Sequence, residues 1–353
     1  MTDHNYIIAG QGLAGTVLAY TLLREGHSVL IIDDNDPAAA SKVAAGIYNP
    51  IVPKRLAKSW KADELLPVMH EFYPFVEKLL HGTFFHSRRM IKPFAQEQEK
   101  VHWLKKAGDD MGEYLSSGIL MDDMEGMIHS PLGFSEILGT GNLDTLTFLE
   151  GSRWYFKKLG ILLGEQFDHS QLEIKANEVV YKEHRASKVI FCEGHRAATN
   201  PWFSFADYRL TKGEVLIIKL PEGVSIAPDF IINKGVFILP LDNNTYKVGA
   251  TFDWEDMSTQ PTKKARLELE EKLRKVLKIP YEIVDQQAGI RPTMNDRRPV
   301  IGLHPGYPVL GIFNGLGTKG VMLAPYWAQH FSGFLENRHP LDPEVDVQRF
   351  IKR

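Results

Sequence analysis

The chain has 353 residues and a mass of 40.0 kDa, enough for roughly two domains at about 150 residues each and for a core without disulfide staples. A composition of 44% hydrophobic and 24% charged residues excludes a disordered, collagen-like or coiled-coil chain. With 41 Lys+Arg against 44 Asp+Glu the net charge is −3, which gives no electrostatic ground for broad nucleic-acid binding.

In chain order, Tyr6-Ile7-Ile8-Ala9 is a short apolar run that ends at Gly10 and reads as a buried strand. Apolar residues at Leu13, Val17, Leu18 and Leu22 have helical spacing, with Gly26 as a stop. Val29 to Ile32 is continuously apolar and closes at Asp33-Asp34. Strand, helix and strand within about 30 residues make a βαβ unit and so a parallel pair. Residues 62–80 read as a helix, residues 84–140 as charged helical stretches with glycine-rich turns, and 143–163 as a second helical stretch. Val189-Ile190-Phe191-Cys192 is a buried strand in which the single cysteine serves as a small core residue. Val215–Leu220, Gly235–Leu239 and Thr245–Thr251 are strand-like, and Asp242-Asn243-Asn244 turns the last two into a hairpin. Lys263–Lys278 is an amphipathic helix stopped by Pro280; Val309–Phe313 is a strand, and a helix runs from Val321 to Leu335.

One thiol cannot make an internal disulfide, and no signal peptide or membrane-length apolar run stands out, so a soluble cytoplasmic protein is expected. No repeat or long linker separates two halves. The second domain is therefore expected to be inserted in the first.

Gly10-Gln11-Gly12-Leu13-Ala14-Gly15 fits G-x-G-x-x-G between a strand and a helix, with Asp33 lying 23 residues after Gly10. Gly10 allows the tight turn, Gly12 lets the backbone approach a pyrophosphate, and Gly15 lets helix and strand pack closely. The helix N-terminus offers N–H groups and a positive dipole end to phosphates. Asp33 can accept from ribose hydroxyls, which disfavours NADP; Asp34 reads as solvated. FAD and NAD both remain open at this point.

Later segments carry a resemblance that separates them. These are Ser41-Lys42-Val43-Ala44-Ala45-Gly46-Ile47, Phe191-Cys192-Glu193-Gly194, Phe237-Ile238-Leu239-Pro240, Ala288-Gly289-Ile290-Arg291-Pro292, and Gly315-Leu316-Gly317-Thr318-Lys319-Gly320 followed by Leu323-Ala324-Pro325. In this order they resemble the D-amino-acid oxidase and glycine oxidase family of flavoproteins. The last of them, with Pro340-Leu341-Asp342, also resembles the oxidase half of the bifunctional tRNA wobble-uridine modification enzymes.

The resemblance implies an α/β fold: a discontinuous Rossmann-type FAD-binding domain (1–79, 141–206 and 287–353) and an inserted α+β substrate domain on a mostly antiparallel sheet (80–140 and 207–286). It implies non-covalent FAD held by Gly10, Gly12, Leu13, Ala14, Gly15, Asp33, Asp34, Ser41, Ala45, Gly46, Ile47, Val179, Cys192, Gly194, Gly289, Arg291, Gly315, Leu316, Gly317, Thr318, Lys319, Gly320 and Val321. The chemistry implied is hydride removal from an amine-bearing carbon, giving an imine that water hydrolyses. Arg291 is then the anchor for a substrate carboxylate. Phe237 is a pocket wall, standing where better-known oxidases carry Tyr. Lys319 adds charge near the flavin at the start of the last helix. Glu193 and Arg196 depart from the family pattern beside the diphosphate.

His184, His195 and His304 have no metal-ligand spacing, and no metal is expected. The expected partner is a small amine or amino acid, and tRNA is a second candidate that the net charge disfavours. Two further readings stand beside these: a flavin-binding protein without turnover, and an NAD-dependent dehydrogenase.

Overall fold

The computed structural model describes residues 2–53, 55–109, 111–121 and 126–351. The βαβ start forms as the apolar pattern predicts. Thr2–Ala9 and Val29–Ile32 are parallel neighbours, joined by the helix Leu13–Arg24, whose buried face includes Val17, Leu18 and Leu22. Among the described residues their sheet has eight strands. Leu162–Leu163 flanks Val29–Ile32, and His184–Phe191 pairs with Thr2–Ala9 on its other side. The amino half of His184–Phe191 then pairs with Val179–Tyr181, and its carboxyl half with Leu310–Asn314. Ala9, Ile32 and Phe191 therefore end at one rim, where open α/β sheets carry their ligands.

The second sheet has seven strands, in the order Glu282–Arg291, Thr211–Lys219, Thr245–Gly249, Val236–Pro240, Phe230–Lys234, Arg89–Pro93 and Phe134–Ile137. Every pair is antiparallel except Phe230–Lys234 with Arg89–Pro93. Period-2 alternation sorts the two faces. Leu216, Ile218, Ile232, Ile238 and Val248 pack against Leu269 and Leu273 of the Lys263–Arg274 helix. Gly213, Val215, Asn233, Phe237 and Gly249 face the other way and roof a cavity.

Two features differ from the sequence reading. Among the described residues, 84–140 hold one helix, Glu97–Gly108, but also the strands Phe85–Ser87, Arg89–Pro93 and Phe134–Ile137. The segment around Gly289 and Arg291 ends a ten-residue strand that pairs with Thr211–Lys219 and runs past the expected boundary at 287. Lys212 is 1% exposed; its ammonium meets Asp256 at 2.6 Å and donates to the Gln260 carbonyl at 2.6 Å, which holds the loop beyond Thr251 against the sheet. Among the described residues no helix is long and apolar enough to cross a membrane.

Candidate active site

One cavity of about 1330 Å³ runs from the glycine turn to the roof sheet. At its first end the backbone has no room for side chains. Gly10 has φ of 104°, and a Cβ there would lie 2.5 Å from the Cys192 carbonyl oxygen. A Cβ on Gly15 would lie 1.9 Å from the Gly10 carbonyl oxygen, so these two glycines weld helix to strand. The Leu13–Arg24 helix starts at Gly12 with no side-chain cap, although Ser41 Oγ accepts from the Leu13 N–H at 3.0 Å. With the Gln11 and Leu13 N–H groups engaged by side chains, it is the bare Gly12 backbone and the uncapped helix start that fit the pyrophosphate of a dinucleotide.

Asp33 sits where the motif places its ribose acid, but it is not a bare acceptor. It accepts from the Gln11 N–H at 2.8 Å, the Asn35 N–H at 2.8 Å and Arg153 Nη1 at 2.7 Å. Three of about four carboxylate acceptor positions are thus used. Arg153 comes from the Thr145–Lys158 helix, is 8% exposed, and also donates to Gln11 Oε1 at 2.9 Å. It fixes the acid and the second residue of the glycine motif together. Nothing local in the sequence marks it, because its partners lie 120 and 142 residues away.

Asp34 is not merely solvated, since it pairs with Arg196 at 2.9 Å, and Arg196 also holds Asp36 at 3.0 Å. Glu193 lines the cavity at the phosphate end but is engaged there. It meets His169 at 2.8 Å and accepts from Asn200 at 2.7 Å, which explains how an acid is tolerated there. The Glu193 hydrogen bond raises the His169 pKa above its ordinary 6.5, against the opposing effect of burial. Burial pushes the Cys192 thiol well up, as befits a core residue.

Among the expected cofactor residues, Gly10, Gly12, Leu13, Ala14, Asp33, Asp34, Ser41, Ala45, Gly46, Ile47, Cys192, Gly194, Gly289, Arg291 and Leu316 to Val321 line the cavity. Three do not. Gly15 is a packing contact, as its role in the motif implies. Val179 belongs to a strand that pairs with the amino half of His184–Phe191, the end remote from the glycine turn, and its side chain lies in a core cluster. Gly315, at φ of 75°, is a turn residue crowded by Met294 and Val300.

At the second end Arg291 dominates. Its guanidinium occupies the space above Gly213, where a Cβ would lie 1.9 Å from Nη2. Its Nη1 donates to the Thr251 carbonyl at 3.2 Å, and the Phe252 ring lies 4.6 Å away. No carboxylate pairs with it among the described residues, and burial pulls its pKa down to about 10. Phe237 forms the wall beside it, against Gly249.

Lys319 also lines the cavity, but its ammonium is engaged by the Asn49 and Ile51 carbonyls and by Ser59 Oγ at 2.6 Å. Burial pulls it down to about 8. It straps the Ile51–Val52 and Ala57–Lys58 hairpin to the start of the Gly320–Leu335 helix. Elsewhere, Glu25, His27 and Glu336 bring ligand-type atoms within 4.8 Å of one another, and Arg338 pairs with both carboxylates.

A glycine turn at the carboxyl rim of a parallel sheet, opening into a chamber roofed by an antiparallel sheet, defines a dinucleotide-dependent oxidoreductase of two-sheet architecture. The chain belongs to the family of FAD dependent oxidoreductases, whose pattern matches residues 5–332. It is 21% identical over 356 residues to the tRNA 5-methylaminomethyl-2-thiouridine biosynthesis bifunctional protein of Marinobacter nauticus, covering 92% of this chain and 54% of that one. It is 23% identical over 370 residues to the bifunctional protein ThiO/ThiG of Trichormus variabilis, covering 98% and 55%. The chain thus spans about half the length of these curated relatives. The crystal structure of glycine oxidase from Bacillus cereus shares the fold, with a TM-score of 0.77 at 20% identity over 96% of this chain and 98% of that one.

Two outcomes follow from the first end of the cavity. Arg153→Met strips Asp33 and Gln11 of their shared donor and should weaken FAD binding about 10- to 100-fold, with Arg153→Lys in between, measured by fluorescence titration of apoprotein. His169 has a raised folded pKa, so its stabilising contribution is complete below 6.5 and lost as pH rises through the folded value. Above that window Glu193 is left uncompensated near the phosphate end. FAD release should therefore increase with pH, and His169→Gln should flatten the profile.

Proposed function

We propose that the protein binds FAD non-covalently along the glycine turn and oxidises a small amine or amino acid that carries a carboxylate. Bound there, FAD would supply the two-electron acceptance that takes a hydride from the amine-bearing carbon, leaving an imine for water to hydrolyse. The chain's own residues supply position and electrostatics.

The reading rests on Arg291: a largely buried guanidinium, open to the cavity, with a backbone carbonyl but no carboxylate as partner among the described residues. Planar and always charged, it can hold a carboxylate through two parallel hydrogen bonds and so fix the orientation of the adjacent carbon. Gly213 supports this by leaving the guanidinium its place, and Phe252 by stacking on it. Phe237, Val215 and the bare Gly249 give an apolar wall that keeps water from the reacting carbon. The Gly320–Leu335 helix starts at the cavity, and its positive end together with the Lys319 ammonium favours negative charge developing nearby. Glycine oxidase among the structural neighbours supports the substrate class, and the single buried thiol suits a cytoplasmic setting.

A second reading is a carboxymethylamino side chain of tRNA, favoured by the Marinobacter nauticus relative. Filter binding of total tRNA at low salt separates the two; retention on the filter supports the second.

The main test is anaerobic bleaching of the bound flavin by a panel of amines and amino acids. Arg291→Met should raise KM for an amino acid about 30- to 100-fold while leaving the flavin bound. An unchanged KM removes Arg291 from the anchoring role.

A further inference from the structure

Arg291 is not the only cation on the cavity wall without an anionic partner among the described residues. Lys92, in the Arg89–Pro93 strand, is half-buried and lines the far end. Among the described residues no hydrogen-bond acceptor or ion-pair partner meets its ammonium, and burial lowers its pKa, with Glu99 opposing. Lys234, beside it, is engaged: it donates to the Pro93 carbonyl at 3.0 Å and pairs with Glu99 at 3.3 Å. Glu99 is further tied by the Ala95 and Gln96 N–H groups. Two cations thus face one carboxylate, and the uncompensated charge is that of Lys92. Asn233, level with Lys92 in the parallel register, also lines the cavity, and its amide lies 3.7 Å from the Met90 sulfur.

The register sets the distance between the two cations. Asn233 opposes Phe237, Phe237 opposes Gly249, and Gly249 opposes Val215. All line the cavity with Lys92, so one straight row crosses the roof. Four strand spacings of about 4.8 Å put Lys92 roughly 19 Å from Val215. The Arg291 guanidinium lies over Gly213, two residues and so about 7 Å further along that strand. The diagonal is about 20 Å, and with the Lys92 chain laid along the row towards Arg291 a reach of about 6 Å and a hydrogen bond of about 3 Å at each end leave roughly 8–10 Å between two bound anions. The wall between is Val215, Gly249 and Phe237, apolar and without a competing charge.

We propose that Lys92, with Asn233 beside it, is a second anion subsite, and that the substrate is an elongated amine with an acidic group at each end. The carboxylate next to the oxidised carbon sits on Arg291, and a second carboxylate or a phosphate sits on Lys92. A half-buried ammonium without a partner carries a desolvation cost that a ligand anion offsets, whereas a surface lysine has no such cost. The proposal rests on the amine-oxidation reading for the substrate's identity, but the subsite is testable by binding alone.

The test uses the FAD-loaded protein and ligands that cannot be oxidised. Straight-chain dicarboxylates from succinate to dodecanedioate, their monocarboxylate counterparts, and carboxylates with a terminal phosphonate are titrated against the visible absorbance of the flavin. Affinity should peak near suberate and azelate, about tenfold or more above the matched monoacid. Lys92→Met should bring the diacid-to-monoacid ratio close to one; Lys92→Gln takes its place should the first variant not fold, and Asn233→Ala should lower the ratio less. A phosphonate terminus that binds more tightly than a carboxylate supports the same subsite with phosphate as its natural group. A wild-type protein indifferent to the second acid, or a preference that survives loss of Lys92, overturns the proposal. Failure of every monoacid to perturb the flavin overturns it too, but by removing the Arg291 carboxylate site and the substrate reading with it.

Discussion

Burying a guanidinium without a counter-anion is costly, and the roof sheet is built to bear that cost at Arg291. The strand register sets Gly289 opposite Gly213, so the Arg291 side chain can lie flat over a position with no Cβ. Phe252 covers one face of the guanidinium, and Trp254 continues the stack with Arg209 on its ring. Lys212, Asp256 and the Gln260 carbonyl hold the loop that carries both aromatics. A charge placed this way is best satisfied by an anion entering from the cavity.

The opposite end follows a complementary logic. Gly12 leaves the backbone bare where phosphates must approach, Gly10 and Gly15 let helix and strand pack closely, and each acid nearby has a basic partner. Asp33 is paired with Arg153, Asp34 and Asp36 with Arg196, and Glu193 with His169. These contacts reduce the negative charge beside the place where a pyrophosphate would sit, with Arg196 shared between two acids and His169 contributing while protonated. Lys319, strapped to Asn49, Ile51 and Ser59, lies between the two ends and ties the hairpin beside the cavity to the last helix.

Much of this is legible in the sequence, because it depends on local patterns. The βαβ start, the glycine turn, the 236–249 hairpin and the last helix follow from apolar spacing and turn residues alone. Legibility fails where long-range pairing decides. The Arg89–Pro93 strand is short and bears charges at Arg89 and Lys92, so it shows no clean alternation; it is a strand because Phe230–Lys234 and Phe134–Ile137 flank it. Arg153 and His169 are ordinary residues until the fold brings Asp33 and Glu193 to them. Resemblance alone puts Val179 at the cofactor, and its strand pairs at the wrong end of His184–Phe191 to reach it. Asp34 reads as solvated in the sequence because Arg196 stands 162 residues away.

The functional reading turns on one spatial arrangement: a flavin dinucleotide lies along the Gly10–Gly15 turn, and a substrate carboxylate meets Arg291 at the other end of the same chamber. A crystal structure of the protein grown with FAD and a small unreactive carboxylic acid examines both halves at once. Pyrophosphate density against the Gly12 backbone is expected, with both carboxylate oxygens on the Arg291 guanidinium. FAD bound elsewhere, or a carboxylate that leaves Arg291 without contact, would refute the arrangement.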